Sequence, residues 1–102
     1  TQVRVQAEGY TNHSGYNYLY VKVSGSTVKS YLLPTTRTLF DPTTITVHSG
    51  DTIELWLKAR VGESSWGWLY VQGEGWTEDT REIREYISTS DTVLNQPGIS
   101  LA

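Results

Sequence analysis

Along most of this chain apolar residues alternate with polar ones at a period of two, and Gly, Pro, Asn, Asp or Ser breaks the alternation at short intervals. Successive side chains of an extended strand point to opposite faces, so the pattern buries one face of a sheet and wets the other. Val3, Val5 and Ala7 alternate with Gln2, Arg4 and Gln6 and predict a strand that ends at Gly9, followed by a polar loop from Tyr10 to Tyr16. Between Asn17 and Val23, Leu19, Val21 and Val23 face one way while Tyr18, Tyr20 and Lys22 face the other. Ser24-Gly25-Ser26 then reads as a tight turn into a strand from Thr27 to Leu33, which Pro34 ends because it lacks a ladder donor.

A short strand from Arg37 to Phe40 stops at Asp41-Pro42. Thr43 to Val47 and Thr52 to Arg60 flank His48-Ser49-Gly50-Asp51 and read as a hairpin. In its second arm Ile53, Leu55, Leu57 and Ala59 form an inward row, leaving Glu54, Trp56, Lys58 and Arg60 outside. From Trp66 to Gln72, Leu69 and Val71 share one face, and Trp66, Trp68 and Tyr70 the other. Thr80 to Ile87 fits a helix with Asp79 and Glu82 as a capping box, and it also fits a strand; the strand is preferred because every other element is β. Val93-Leu94 and Ile99-Leu101 flank a Gln96-Pro97-Gly98 turn.

About seven to nine short strands at such spacing predict an all-β fold, an antiparallel β-sandwich of jelly-roll or immunoglobulin-like kind, with an open barrel as the alternative. The 102 residues suffice for one domain over the whole chain, and the lack of Met, position 1 included, suggests a domain cut from a longer protein. A formal charge of -3 with scattered Lys and Arg offers no footprint for nucleic acid, and no apolar run reaches the roughly 18 residues of a membrane span. With Cys 0 there is neither a disulfide nor a thiolate metal site.

The informative skew is Tyr 7 and Trp 4 against Phe 1, because Tyr and Trp tolerate half-wet positions through their polar atoms. If the strand carrying Trp56 pairs with the strand carrying Trp66, Trp68 and Tyr70, these rings form one contiguous platform. Flat aromatic surfaces suit the C–H faces of sugars, and Glu54, Lys58, Arg60 and Gln72 stand on the same face as hydrogen-bonding partners. Trp76, in the loop from Gly73 to Asp79, extends the candidate ligand-binding set. The competing readings of the same rings are a subunit or domain interface and ordinary core.

Other constellations carry less. Tyr10, Asn12, His13, Tyr16 and Asn17 collect in one loop, where turn formation explains Asn and Gly without a ligand. Asn12-His13-Ser14 also satisfies the glycosylation sequon, a short pattern. Glu74, Glu78, Asp79 and Glu82 offer oxygen ligands for calcium, but they lack the D-x-D-x-D-G pattern, so a solvated acidic loop is the simpler reading and no cofactor is expected. No nucleophile motif, P-loop or paired His is present, which argues against an enzyme.

Three stretches, V-K-V-S-G-S-T-V from Val21 to Val28, T-V-H-S-G-D-T-I-E-L from Thr46 to Leu55 and S-W-G-W-L-Y from Ser65 to Tyr70, resemble the small β-sandwich carbohydrate-binding modules attached to polysaccharide-degrading enzymes. The resemblance covers Val3 to Val71 and implies non-catalytic binding of a polysaccharide by a secreted or extracellular domain joined to a parent enzyme. The aspartate pattern of the calcium-using members is not intact, so their metal site is not carried over. The glycine-aspartate turn also appears in structural domains of phage tails and adhesins. The alternative is therefore a viral or phage appendage, or another structural domain on a cell or virion surface, whose aromatic face meets another subunit or a receptor.

Overall fold

The computed structural model describes residues 2–73, 81–88, 92–95 and 99–100, with side chains over 2–72. Ten strands follow in chain order among the described residues: β1 (Gln2–Thr11), β2 (Tyr18–Val23), β3 (Ser26–Leu32), β4 (Thr38–Leu39), β5 (Thr43–Thr46), β6 (Thr52–Ala59), β7 (Ser65–Gly73), β8 (Arg81–Ser88), β9 (Thr92–Asn95) and β10 (Ile99–Ser100). They form two antiparallel five-stranded sheets. In the first, β4 and β5 share one edge of β1, which is followed by β7 and β8; in the second, β9 and β10 share one edge of β6, which is followed by β2 and β3. The expected β-sandwich is the fold, and the ambiguous segment is a strand where it is described, as β8.

Alternation places the core. Val3, Val5, Ala7, Leu69 and Val71 of the first sheet meet Leu19, Val21, Ile53, Leu55 and Leu57 of the second, and all are buried. Burial of this continuous apolar layer is the main favourable term in holding the sheets together. Tyr31 and Phe40, stacked at 4.4 Å, close one side between β3 and the β4 edge.

The Ser24-Gly25 turn behaves as its chemistry requires. Both residues have positive φ, 47° and 87°, the geometry of a two-residue hairpin turn that matches strand twist. β3, by contrast, is an edge strand exposed along most of its length. Lys29 sits opposite the inward-facing Val21, and a register shift follows between Val21 and Lys22. An inward-positioned lysine and a bulge are devices that discourage edge-to-edge pairing with another chain.

Two expected strand pairings are corrected. The strands flanking His48-Ser49-Gly50-Asp51 are not a hairpin, because β5 pairs with β1 and β6 pairs with β2. The segment is a local turn, in which Asp51 N donates to His48 O at 3.0 Å and Asp51 Oδ2 accepts from His48 N at 2.8 Å. It carries the chain from one sheet to the other, with Val47 buried between the layers at the crossing. Likewise β6 does not pair with β7; the chain changes sheets again between them, and β7 takes β1 and β8 as neighbours. Ile53, Leu55 and Leu57 thus face Leu69 and Val71 across the core instead of lying beside them.

β1 also runs further than its sequence suggests. Gly9 is an interior strand position, and the alternation continues to outward Tyr10 and buried Thr11. Gly9 faces Gly67 across the β1–β7 ladder. A Cβ on Gly9 would stand 2.7 Å from Trp66 O and 2.8 Å from Leu33 Cδ2, and one on Gly67 would stand 2.9 Å from Leu19 Cδ1. The two glycines are the places where the second sheet's leucines press against the first sheet's backbone.

Candidate functional site

The sheet assignment splits the expected platform in two. Trp66, Trp68 and Tyr70 lie on the outer face of the first sheet, whereas Trp56 lies on the outer face of the second, at the opposite side of the sandwich. Glu54 and Lys58 accompany Trp56, while Gln72 stays with Trp66, Trp68 and Tyr70. Trp76 lies outside the described residues, as do Glu74, Glu78 and Asp79 of the calcium candidate. Among the described residues no cluster of His, Asp or Glu can hold a metal ion.

On the first sheet β1 supplies residues missing from the expected set. The register sets Tyr10 opposite Trp66, Glu8 opposite Trp68, Gln6 opposite Tyr70 and Arg4 opposite Gln72. The Tyr10 ring stacks on Trp66, with centroids 4.7 Å apart and planes at 10°, and also on Trp68 at 6.1 Å and 17°. Arg37, from the segment before β4, lays its guanidinium carbon 3.7 Å from the centre of the Trp68 ring. Its Nε donates to Glu8 Oε2 at 2.8 Å, and Tyr70 donates its hydroxyl to Glu8 Oε1 at 2.7 Å.

These contacts fix charge as well as shape. The Arg37 hydrogen bond holds the Glu8 carboxyl below its usual range against the opposing effect of burial, and the Tyr70 hydroxyl adds to it. The same carboxylate raises the Tyr70 phenol. The result is a continuous half-buried array, Trp66–Tyr10–Trp68–Arg37, braced from below by Glu8 and Tyr70. Rings stacked on one another present edges to solvent, and Trp66 ends the array with Tyr10 as its one ring partner among the described residues. Beyond Tyr70 lies a small depression of about 130 Å³ lined by Arg4, Gln6, Tyr70, Val71 and Gln72.

The outer face of the second sheet carries a separate aromatic group. Tyr20 stands opposite Trp56 and Tyr18 opposite Lys58. Tyr18 and Tyr20 stack at 6.0 Å, and Lys22 places Nζ 4.0 Å from the Trp56 ring centre. Trp56 donates Nε1 to Glu54 Oε1 at 3.4 Å. This lysine covers much of the indole that the sequence leaves bare.

Comparison with protein-family models, curated proteins and solved structures gave no match.

Arg60 and the Tyr10–Asn17 segment resolve into a structural tie at one end of the sandwich. Asn17, fully buried, donates Nδ2 to Thr11 Oγ1 at 2.9 Å and to Glu63 Oε1 at 3.0 Å, and its Oδ1 accepts from Arg60 N at 3.0 Å. Arg60 grips Glu63 through Nε at 3.1 Å and Nη2 at 2.8 Å and lies over the Tyr16 ring at 3.7 Å. The Arg60 hydrogen bonds lower the Glu63 pKa from 4.5 to about 2, with Asn17 assisting. This polar network, with Asn17 and Thr11 buried at its centre, joins β1, β2 and the β6–β7 connection. Arg60, expected among the ligand contacts beside Trp56, is tied into this network.

The sequence signals for the missed members were present. Glu8 and Tyr10 continue the outward row of Gln2, Arg4 and Gln6, and reading Gly9 as a strand end hid them. Arg37 carries no local signal, because its place over Trp68 depends on β4 pairing with β1.

Proposed function

We propose that this is a non-catalytic carbohydrate-binding domain whose ligand lies along the outer face of the β1–β7 sheet, with Trp66, Tyr10, Trp68 and Tyr70 as the contact residues and Gln72 at the far end. The observation that carries this reading is the array itself: rings held half-exposed in one direction, locked by Arg37 and Glu8, at the terminal indole of which a sugar ring can stack. Gln72 lies six steps along β7 from Trp66, about 20 Å at strand rise, a length suited to an extended chain of sugars. The domain would hold a larger extracellular protein on its polysaccharide. Trp56, with Glu54 and Lys58, is left out of this surface.

One observation favours a second reading, an interface with another copy of the chain. Leu39 is 54% exposed and stands opposite Glu8, in the cross-strand row that also holds Trp68. An exposed leucine beside stacked rings is the composition of an interface centre.

Titration of tryptophan fluorescence with soluble polysaccharides, alongside light scattering for mass, separates the two. A saturable response from a monomer, lost in Trp66→Ala and Trp68→Ala proteins that remain folded, supports carbohydrate binding. An oligomer that Leu39→Asp dissociates, with no response to any polysaccharide, supports the interface.

A further inference from the structure

We infer that the Arg4 end of the β1–β7 face is a subsite for an anionic substituent, a carboxylate or a sulfate ester, on the sugar chain; this rests on the carbohydrate reading above and specifies its ligand. Four strands contribute one residue each to a single cross-strand row: Thr44 of β5, Arg4 of β1, Gln72 of β7 and Arg81 of β8, each the register partner of the next. Two arginine positions therefore flank Gln72 at the spacing of adjacent strands, about 5 Å on either side. The depression lined by Arg4, Gln6, Tyr70 and Gln72 opens beside this row.

Among the described residues Arg4 is distinguished by the lack of a counter-charge. Arg37, also on this face, is neutralised by Glu8 at 2.8 Å. Arg4 is exposed and, among the described residues, has neither an ion pair nor a side-chain hydrogen bond. Glu8 lies four residues along β1, about 13 Å away at strand rise, beyond the screening length at physiological salt and already engaged. A guanidinium offers a planar fork of donors that fits a carboxylate or sulfate, and the neighbouring amides of Gln6 and Gln72 add neutral polar groups. Gln6 is held in place by donating Nε2 to Phe40 O at 3.0 Å. In a chain of net charge -3, the exposed Arg4 offers a polyanion a positive group while its sugar rings follow the face toward Trp66.

The test titrates the intact domain, by tryptophan fluorescence at low and at physiological salt, with four probes: polygalacturonate, a sulfated galactan, a neutral galactan and a neutral xylan. The expected result is that one anionic polymer binds roughly fivefold or more tighter than the neutral ones, an advantage that shrinks as salt rises. Arg4→Gln and Arg81→Gln are expected to remove that advantage, and the polymer that shows it identifies carboxylate or sulfate as the group. Equal affinity for neutral and anionic polymers, or an advantage that survives both substitutions, overturns the anionic subsite while leaving carbohydrate binding in place. No response to any of the four overturns both.

Discussion

Tyr10 and Trp66 face each other across the β1–β7 ladder, their rings 4.7 Å apart and 10° from parallel, on the outer side of the sheet just where Gly9 and Gly67 leave the inner side without side chains. Glycine weakens a strand interior, and a cross-strand aromatic pair covers the backbone it exposes. The same rings thus brace the sheet and form the proposed binding face. Tyr10→Ala should destabilise the domain by about 1–2 kcal/mol and shift tryptophan emission to the red, as read by urea unfolding and the folded-state spectrum. An unchanged midpoint would mean that the stack contributes nothing to the fold.

The glycine pair should tolerate no methyl group. Gly67→Ala meets only leucine methyl groups, whereas Gly9→Ala also meets the Trp66 carbonyl, which cannot turn aside. Overpacking of this kind costs about 1–3 kcal/mol, and Gly9→Ala should lie at the upper end. Thermal melts of the two variants would show the order, and a reversed order would contradict the close approach at Gly9.

The two aromatic faces should act independently. Trp56→Ala removes an indole paired with Lys22 on the second sheet, so it should leave polysaccharide affinity within about twofold of the parent, whereas Trp66→Ala should reduce it by tenfold or more. Equal losses in both variants would return Trp56 to the site.

Removing the buried amide should loosen one end of the sandwich. Asn17→Ala leaves the Arg60 amide without its acceptor and removes the bonds to Thr11 and Glu63, and a loss of about 2–3 kcal/mol is expected from denaturant unfolding. Asn17→Asp should not rescue it, because a carboxylate cannot donate to Glu63.

Acid should unfold the domain through the same tie. The folded-state pKa of Glu63 is lowered from 4.5 to about 2, so the folded state binds this proton less readily than the unfolded chain. The stability it contributes is complete above about pH 4.5 and is lost as pH falls towards 2. Glu8 and Asp51 are shifted in the same direction, the first mainly by Arg37 and the second mainly by the His48 amide. Melting temperature should therefore fall below pH 4.5, and Glu63→Gln should flatten that fall; an unaltered slope would remove Glu63 from the acid transition.

Which residues face inward was legible in the alternation itself. Val3, Val5, Leu19, Val21, Ile53, Leu55, Leu57, Leu69 and Val71 are the core, and Trp56, Trp66, Trp68 and Tyr70 point outward as a period of two requires. The Ser24-Gly25 turn was equally local, since only residues tolerant of positive φ close a two-residue hairpin. Strand partnership was not local. Thr43–Thr46 and Thr52–Ala59 carry patterns that suit a hairpin and a sheet-to-sheet crossing alike, because both bury the same side chains. The tertiary pairing decided it: β1 holds β5 on one edge and β7 on the other, while β6 pairs with β2 in the second sheet. That choice separated Trp56 from Trp66 and brought Tyr10, Glu8 and Arg37 together around Trp68, contacts between segments that sequence order keeps far apart.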